Sequence, residues 1–239
     1  MKYNIIGSSS SGNAVIIEDF LLLDCGVSYK KIKSYLNKIK IIFISHSHTD
    51  HLCKKTIEQI NYNYPNMKYI VGSFEVCAKL SMCHVAKKNI YVLSSNKWYD
   101  LGALKIKLEK LYHDVSNYGI HFEIDSKKGI YFTDTCRADH IDAKNYDLYL
   151  VENNYQQEIL EEHIKNCDDR NQINYLYRVM STHLSKSNCD DFLINNMSKN
   201  SEFVYLHKSK YNNTEDGELK LKGDLIWYLK IIKNYTKQN

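Results

Sequence analysis

The sequence contains very little proline and no long apolar run. Pro65 is the single proline among 239 residues, and no linker, internal repeat or low-complexity segment interrupts the chain. We predict one domain over residues 1–239, because 44% hydrophobic residues at this length suffice for a sizeable core. The chain lacks the roughly eighteen consecutive apolar residues of a membrane span, and Met1–Asn4 lacks the apolar stretch of a signal peptide. We therefore expect a cytoplasmic protein without a membrane partner.

Cysteine is present, but not in the spacing of a zinc or redox motif. The seven cysteines are odd in number, and none forms a Cys-x-x-Cys pair with another. In a cytosolic protein such a set is expected to stay reduced and to pack as small hydrophobic side chains. Cys136 is the exception of interest, because it lies two residues after Asp134, a candidate metal ligand. We favour a packing role for this thiol as well.

Charge of one sign is not in large excess either. The formal net charge is +4, from 32 Lys and Arg against 28 Asp and Glu, so the whole-protein field attracts polyanions only mildly. Lysines do cluster, for example at Lys54-Lys55 and Lys208 to Lys210, and such clusters can neutralise phosphates. An ordinary solvated surface explains them equally well. Charge alone therefore does not identify a nuclease.

The most informative segment is Ser45–His51, which reads Ser-His-Ser-His-Thr-Asp-His and directly follows an apolar run. Residues two apart in an extended segment point the same way, so His46 and His48 can bind one ion together, while Asp50 and His51 fall on the following turn. That geometry suits two neighbouring ions. Imidazole and carboxylate ligands without thiolates suit zinc, manganese or iron and leave room for water. The segment therefore predicts a catalytic metal centre, with a polar loop containing incidental histidines as the alternative.

The pattern His-x-His-x-Asp-His after a hydrophobic strand resembles the signature of the metallo-β-lactamase fold. Other segments match what that family expects: a Ser/Gly-rich hairpin over 7–13, an aspartate closing an early strand at Asp24, and later ligands at His113, Asp134 and His207. All of these residues stand at the ends of apolar segments, where a sheet presents side chains to a shared cleft. The resemblance implies an α/β protein built as a four-layer αβ/βα sandwich.

The resemblance also implies two divalent cations, zinc or manganese, as cofactors. The expected ligands are His46, His48 and His113 on one ion, Asp50, His51 and His207 on the other, and Asp134 bridging both. Water between two such cations loses a proton near neutral pH and becomes a nucleophile for in-line attack on a phosphodiester. The same cations offset the charge that develops on the phosphate and leaving oxygens.

Further roles follow for residues around these ligands. His183, in a Thr-His-Leu-Ser segment, is expected to join Asp50 as a catalytic residue, either by contacting the phosphate or by protonating the leaving group. A helix-terminal or core histidine is the alternative. Ser10 and Asn13 are expected to bind a substrate phosphate, although a plain hairpin turn fits equally well. Asp24 is expected to orient a histidine ligand.

Within this family the chain is similar to a group of short bacterial and phage proteins typified by the DNA exonuclease WalJ, also called YycJ. The likeness runs from about residue 3 to about residue 213 and includes the elements Ser10–Ala14, Glu152–Asn154 and His183–Ser185. It departs at Cys136 and Asn154, where members commonly have glycine and histidine. The likeness implies a metal-dependent phosphodiesterase, first of all a DNA exonuclease, with DNA favoured over RNA as partner. A ribonuclease of the same fold and a small-molecule hydrolase, such as a thioesterase or lactonase, are the alternatives.

Hydrophobic periodicity predicts the order of the elements. The predicted strands cover 3–6, 14–18, 20–24, 41–44, 68–71, 90–93, 103–111, 119–124, 129–133, 148–152 and 203–206. The predicted helices cover 28–38, 54–60, 73–81, 156–165, 171–180 and 186–196. Residues 212–217 are predicted to form a loop, and 225–229 a strand or short helix. Among the 20 tyrosines, the best candidates for stacking on bases are Tyr112, Tyr118, Tyr155 and Tyr211.

Overall fold

The computed structural model describes residues 1–209 and 220–222. The strands in chain order are β1 (Tyr3–Gly7), β2 (Ala14–Ile17), β3 (Leu21–Leu23), β4 (Ile41–Ile44), β5 (Lys68–Val71), β6 (Ile90–Val92), β7 (Trp98–Asp100), β8 (Lys105–Leu111), β9 (Asn117–Ile124), β10 (Lys127–Phe132), β11 (Leu148–Glu152), β12 (Glu202–Leu206) and β13 (Lys220–Lys222). The helices are α1 (Tyr29–Ile32), α2 (Lys54–Asn63), α3 (Phe74–Met82), α4 (Gln157–Lys165), α5 (Arg170–Thr182) and α6 (Lys186–Asn196), with one 3-10 turn at Lys87–Asn89. The described residues form two compact units, the first comprising 1–98, 107–110 and 114–119, and the second 99–106, 111–113 and the residues from 120 onward.

The first unit contains a six-stranded sheet in the order β1-β2-β3-β4-β5-β6. β1, β2 and β3 pair antiparallel, and β3 to β6 pair parallel. Parallel neighbours need a crossover connection, which α1, α2 and α3 provide in turn. A strand that is covered on both faces consists of consecutive apolar residues. β4 is such a strand, and its Ile42, Phe43 and Ile44 are fully buried. The hydrophobic core of the first unit is formed by side chains of these strands and of the inner faces of the helices.

The second sheet has seven strands in the order β13-β12-β11-β10-β9-β8-β7. A two-residue turn at Asp125 and Ser126, with φ of 49° and 63°, joins β9 to β10 as an antiparallel hairpin. β10, β11 and β12 then run parallel, and α4 to α6 lie between β11 and β12 in the chain. The core of the second unit packs Phe132, Tyr149 and Phe192 ring against ring.

The observed elements follow the predicted order, except that α1 is shorter than predicted and that the short strands β7 and β13 were not predicted. The first helix was predicted over 28–38 but ends at Ile32, after which Tyr35 and Leu36 donate to carbonyls only three residues back. The chain therefore continues beyond Ile32 in tight turns instead of a regular α-helix. β7 was not predicted, because a three-residue edge strand has too short a pattern to detect.

Some predictions concern parts of the chain that the structure does not describe. The loop at 212–217, the segment 225–229 and Tyr211 all lie outside the described residues. The single domain over 1–239 stays a prediction. In the described ranges, the helices are too short or too polar to cross a membrane. All seven cysteines lie in these ranges and are free, with Cys136 half-buried.

Candidate metal centre

The segment that carries four predicted ligands leaves the end of β4 and is held by backbone hydrogen bonds within the first unit. Asp50 O accepts from Asn13 N at 2.7 Å, and His51 O accepts from Cys25 N at 2.9 Å. Gly26 makes this close approach possible, because a Cβ at Gly26 would lie 1.6 Å from Asp50 O. We call residues 45–51 the metal loop. Its backbone is thus fixed against the β1–β2 hairpin loop and against the connection from β3 to α1.

Asp24 organises two imidazoles of the metal loop. Its buried carboxylate accepts from His51 Nδ1 at 2.6 Å and from Ser45 Oγ at 2.9 Å. Because the Ser45 hydroxyl hydrogen is directed at Asp24, Ser45 Oγ is left to accept from His46 Nδ1 at 3.0 Å. Both imidazoles therefore carry their proton on Nδ1, and their Nε2 atoms are unprotonated. The expected orienting role of Asp24 agrees with this geometry.

His48 and Asp50 complete the group of potential ligands in the first unit. The His46 and His48 rings lie 4.8 Å apart between centroids, and the His46 and His51 rings 4.2 Å apart. Asp50 Oδ2 is 3.5 Å from His51 Nε2. His48 Nε2 is 3.5 Å from Asp114 Oδ1. The structure therefore brings together all four ligands predicted in this unit.

The second unit has its own cluster of ligand atoms at the ends of three parallel strands. Asp134, Glu152, His183 and His207 each offer one ligand atom, and these atoms all lie within 4.8 Å of one another. The strand register explains the convergence, because Phe132 pairs with Val151 and Glu152 with Leu206, so that β10, β11 and β12 end together. Parallel strands present functional side chains at their carboxyl ends in this way.

Asp134 and His207 adopt a left-handed backbone conformation that residues other than glycine seldom take. Their φ angles are 59° and 54°, and Asp24 in the first unit has 59°. Each of these residues directly follows or closely follows a buried strand. Left-handed backbone at non-glycine residues costs free energy and tends to concentrate at functional sites. The three residues are therefore held in place by their surroundings rather than by local preference.

Glu152 is the residue of this cluster that sequence reasoning did not assign. It is fully buried and its Oε1 accepts from His183 Nδ1 at 2.7 Å and His207 Nδ1 at 3.2 Å. Its Oε2 accepts from the backbone N–H groups of Thr135 and Leu184 at 3.0 and 3.1 Å. The available signal was an acidic residue ending a strand that is otherwise entirely apolar. A buried carboxylate needs such partners to remain charged.

Two opposing effects, burial and pairing with a charged neighbour, determine the pKa values of Glu152 and His183. Burial alone raises the pKa of Glu152, but its contacts with His183 and His207 outweigh that effect, and the pKa lies below its usual value. Burial alone lowers the pKa of His183, but Glu152 and Asp134 outweigh it, and the pKa lies above its usual value. In the metal-free protein, each group therefore stabilises the charged form of the other.

His113 is held in the second unit by the end of α5. Its Nδ1 donates to Thr182 O at 3.0 Å, and its ring lies 5.6 Å from the His183 ring between centroids. His207 Nδ1 is likewise engaged, by Glu152, while the Asn154 amide donates to His207 O at 2.9 Å. His113 and His207 therefore also present Nε2 as the metal-facing atom.

The residues predicted to bind substrate differ in their placement. Asn13 is buried, and its side-chain nitrogen lies 2.9 Å from His51 Nε2 and 3.2 Å from Asp50 O. Ser10 is exposed on the hairpin turn. Asn13 is thus in contact with predicted metal ligands, whereas Ser10 is open to solvent. Phosphate binding by either residue stays a prediction.

The donors in both units fit divalent cations. They are imidazole nitrogens and carboxylate oxygens, which suit zinc or manganese. Four imidazoles are held through Nδ1 by a hydroxyl, a carboxylate or a carbonyl: His46, His51, His113 and His207. Such outer partners fix the tautomer that binds a metal and are typical of metal centres.

No family model and no curated protein matches the sequence. Solved structures do match. The chain is similar to the metallo-β-lactamase fold protein YhfI from Bacillus subtilis, with a TM-score of 0.63 and 16% identity over 88% of this chain and 87% of that chain. It is similar to the short form of human tRNase Z, with a TM-score of 0.64 and 13% identity over 88% and 93%.

A third similar structure is Zn²⁺-bound PqqB from Methylobacterium extorquens, with a TM-score of 0.61 and 11% identity over 89% of this chain and 90% of that chain. Likenesses at such low identity show the fold. They confirm the predicted fold class: the protein is an α/β protein with two mixed sheets flanked by helices, and it has the metallo-β-lactamase fold.

Proposed function

We propose that this protein is a metal-dependent hydrolase that cleaves phosphodiester bonds in nucleic acid. The observation that carries the proposal is the shared arrangement of the imidazoles. Four imidazoles, those of His46, His51, His113 and His207, are engaged through Nδ1 by protein partners, and the Asp50 carboxylate lies 3.5 Å from His51 Nε2. Histidines with a purely structural role are not expected to be engaged all through the same ring nitrogen.

The proposed centre combines the ligands of the two units on two divalent cations. His46, His48 and His113 would hold one cation, Asp50, His51 and His207 the other, and Asp134 would contact both. When bound, the cations supply Lewis acidity and make water acidic enough to act as a nucleophile near neutral pH. Likeness to a zinc-bound protein of this fold supports the cofactor assignment.

The protein's own residues have separable tasks in this proposal. Asp24 and Ser45 keep His51 and His46 in the metal-binding tautomer. Glu152 stabilises the proton on His183 Nδ1, so that the imidazolium can donate a proton to the leaving oxygen as a general acid. The His183 side chain keeps 18% of its surface exposed, which leaves it accessible to a substrate.

The kind of nucleic acid has two candidates. The likeness of the sequence motifs to WalJ-like exonucleases favours DNA and digestion from an end. The structural likeness to human tRNase Z favours RNA. Both substrates contain the same phosphodiester, so the proposed catalytic residues serve either one.

The proposal is tested with end-labelled single- and double-stranded DNA and RNA, in added manganese or zinc, beside an Asp50→Ala variant. Asp19→Ala is the matched control, because Asp19 is a surface residue paired with Lys2. We expect the wild type and Asp19→Ala to degrade at least one nucleic acid, and Asp50→Ala to be at least about 100-fold slower.

A ladder that grows from one end would identify an exonuclease. The proposal fails if the wild type and Asp50→Ala are equally inert on every nucleic acid. Cleavage of a thioester or lactone panel under the same conditions, without cleavage of nucleic acid, would instead assign a small-molecule hydrolase.

A further inference from the structure

The segment that follows Asp134 forms one wall of an open cavity in the second unit. The cavity has a volume of about 410 Å³, which is within the range of sites that bind small organic groups. Its lining comes from this segment and from α6, and it includes Arg137, Asp139, Ile141, Asn188, Asp191 and Asn195. The cavity therefore begins three residues after a predicted metal ligand, and its side chains have no role in the metal centre itself.

Arg137 is held in a fixed orientation at the wall of this cavity. Its Nε and Nη2 atoms donate to the two carboxylate oxygens of Asp139 at 2.7 and 2.6 Å. Its guanidinium carbon lies over the Tyr112 ring, 5.3 Å from the ring centre. A guanidinium is planar and stacks on aromatic faces, so Tyr112 covers one face of the plane and Asp139 one edge. The opposite face is the part that Arg137 can offer to a ligand.

Hydrogen bonds attach this pair to two predicted metal ligands of the same unit. Tyr112 directly precedes His113, and Thr135 directly follows Asp134. Tyr112 N donates to Thr135 Oγ1 at 3.1 Å, and the same hydroxyl donates to Arg137 O at 2.9 Å. The ring and the guanidinium are therefore carried by the chain neighbours of His113 and Asp134.

The charges of the cavity favour the uncharged part of a nucleotide. Asp139 and Asp191 against Arg137 leave one negative charge in excess among the lining residues, which disfavours a phosphate inside the cavity. Carboxylates and the amides of Asn188 and Asn195 can instead accept hydrogen bonds from base amino groups and sugar hydroxyls. Guanidinium planes stack on unpaired bases. The lining therefore complements a nucleoside.

We propose that this cavity is a subsite for one unpaired nucleoside of the substrate, next to the phosphodiester that is cleaved, with the base stacked on the Arg137 guanidinium. The inference rests on the proposed nuclease function and narrows its substrate to nucleic acid that is single-stranded at the cleavage site. Every base has a π-face, so stacking tolerates any base. Tyr112, which was predicted to stack on a base, is assigned here as the support of the guanidinium.

The test measures whether Arg137 and the base act on the same contact. The substrate is a single strand of DNA or RNA with one ordinary phosphodiester and cleavage-resistant phosphorothioate linkages elsewhere. In two further strands the nucleotide on one or the other side of that phosphodiester is abasic. KM and kcat are measured for the wild type, Arg137→Ala and Arg137→Lys, and strands that contain only phosphorothioate linkages give Kd by fluorescence anisotropy.

Arg170→Ala is the matched control. Arg170 is an exposed arginine at the first residue of α5, and it does not line the cavity. The substitution removes the same charge as Arg137→Ala at a different place on the second unit. It therefore separates a specific contact from a general loss of attraction between the protein and a polyanion.

We expect Arg137→Ala to raise KM and Kd for the intact strand about tenfold, with kcat within about twofold of the wild type. Arg137→Lys should lose as much, because an ammonium has no plane on which a base can stack. One of the abasic strands should raise KM about tenfold for the wild type but not for Arg137→Ala, since both changes delete one contact. Arg170→Ala should behave as the wild type. Melting temperatures should change little, because both arginines are exposed.

The outcomes separate this inference from the function on which it rests. If the wild type cleaves nucleic acid but Arg137→Ala keeps its KM, the subsite is wrong and the nuclease proposal stands. The subsite is also wrong if Arg137→Lys restores KM, if Arg170→Ala loses as much, or if the abasic strands affect Arg137→Ala as strongly as the wild type. Binding that depends on both Arg137 and the base, without cleavage of any nucleic acid, would support the subsite and overturn the nuclease proposal. Neither binding nor cleavage would overturn both.

Discussion

At the scale of single residues, the site depends on hydrogen bonds to the imidazole nitrogen that faces away from the proposed metals. The three histidines and the aspartate of the metal loop could be predicted as candidate ligands, because they are close together in the chain. Their partners were harder to predict: Asp24 follows an early strand and was found by family likeness, whereas Ser45 and Thr182 carry no sequence signal. Glu152 lies in a segment that resembles the family, but its contacts with His183 and His207 depend on strand register and were not predicted.

Replacing Asp24 tests whether the imidazole tautomers matter for metal binding. Asp24→Asn keeps the volume but places an amide N–H₂ where one carboxylate oxygen now accepts hydrogen bonds. We expect metal affinity to fall about 10- to 100-fold, measured by competition with a fluorescent chelator. Asp19→Asn, at an exposed ion pair, should leave affinity unchanged. Equal affinity in both variants would show that Asp24 does not position a ligand.

Replacing Glu152 tests the buried cluster of the second unit. Glu152→Gln removes the charge that faces His183 and His207, and its amide NH₂ must face either these two imidazoles or the backbone N–H groups of Thr135 and Leu184, which now donate to Glu152. We expect the free energy of unfolding of the metal-free protein to fall by about 1–3 kcal/mol, measured by urea denaturation. Glu123→Gln, at the partly exposed pair with Lys105, should change it by less than about 1 kcal/mol. A Glu152→Gln variant as stable as the wild type would contradict this account.

At the scale of helices and strands, the elements with strong apolar patterns were predicted well and the weak ones were not. β4 and β11 have the predicted bounds, because continuous burial leaves an unmistakable apolar run. α1 is shorter than predicted, because the residues after Ile32 form turns with hydrogen bonds to carbonyls three residues back, which apolar spacing does not distinguish from an α-helix. The sequence also does not reveal how closely two loops approach, which is why the contact of Gly26 with Asp50 was not foreseen.

The contact at Gly26 predicts that the metal loop shifts when this glycine is replaced. In Gly26→Ala the new Cβ meets Asp50 O at 1.6 Å, and backbone atoms must move to relieve the overlap. We expect a loss of stability of at least about 1–3 kcal/mol and less metal bound per chain, measured by urea denaturation and elemental analysis. Gly102→Ala, where the Cβ meets nothing within 4 Å, should keep full metal content. Full metal content in Gly26→Ala would mean that the loop does not need this approach.

At the scale of the whole molecule, the sequence predicted the fold class from one motif and a set of strand ends. Each unit supplies part of the proposed ligand set, four residues from the first unit and three from the second, with Glu152 and His183 beside the latter. The seven predicted ligands are thus spread over the chain from His46 to His207.

Removing the metal tests whether bound cations stabilise the folded protein. An ion that binds only the folded state stabilises it by mass action, by about 2.7 kcal/mol at a concentration of 100 times its Kd. We expect a chelator to lower the melting temperature by several degrees and added zinc or manganese to restore it, measured by calorimetry. Asp50→Ala should show a smaller restoration. A melting temperature that does not respond to chelator or metal would count against resident cations.

The most direct measurement is anomalous diffraction from crystals grown with saturating zinc or manganese, with elemental analysis of the same protein. The account predicts two ions per chain. One should lie about 2.0–2.2 Å from ring nitrogens of His46, His48 and His113, the other should contact Asp50, His51 and His207, and an Asp134 oxygen should reach both. A map without anomalous peaks at these side chains, or with the imidazoles turned away from one another, would contradict it.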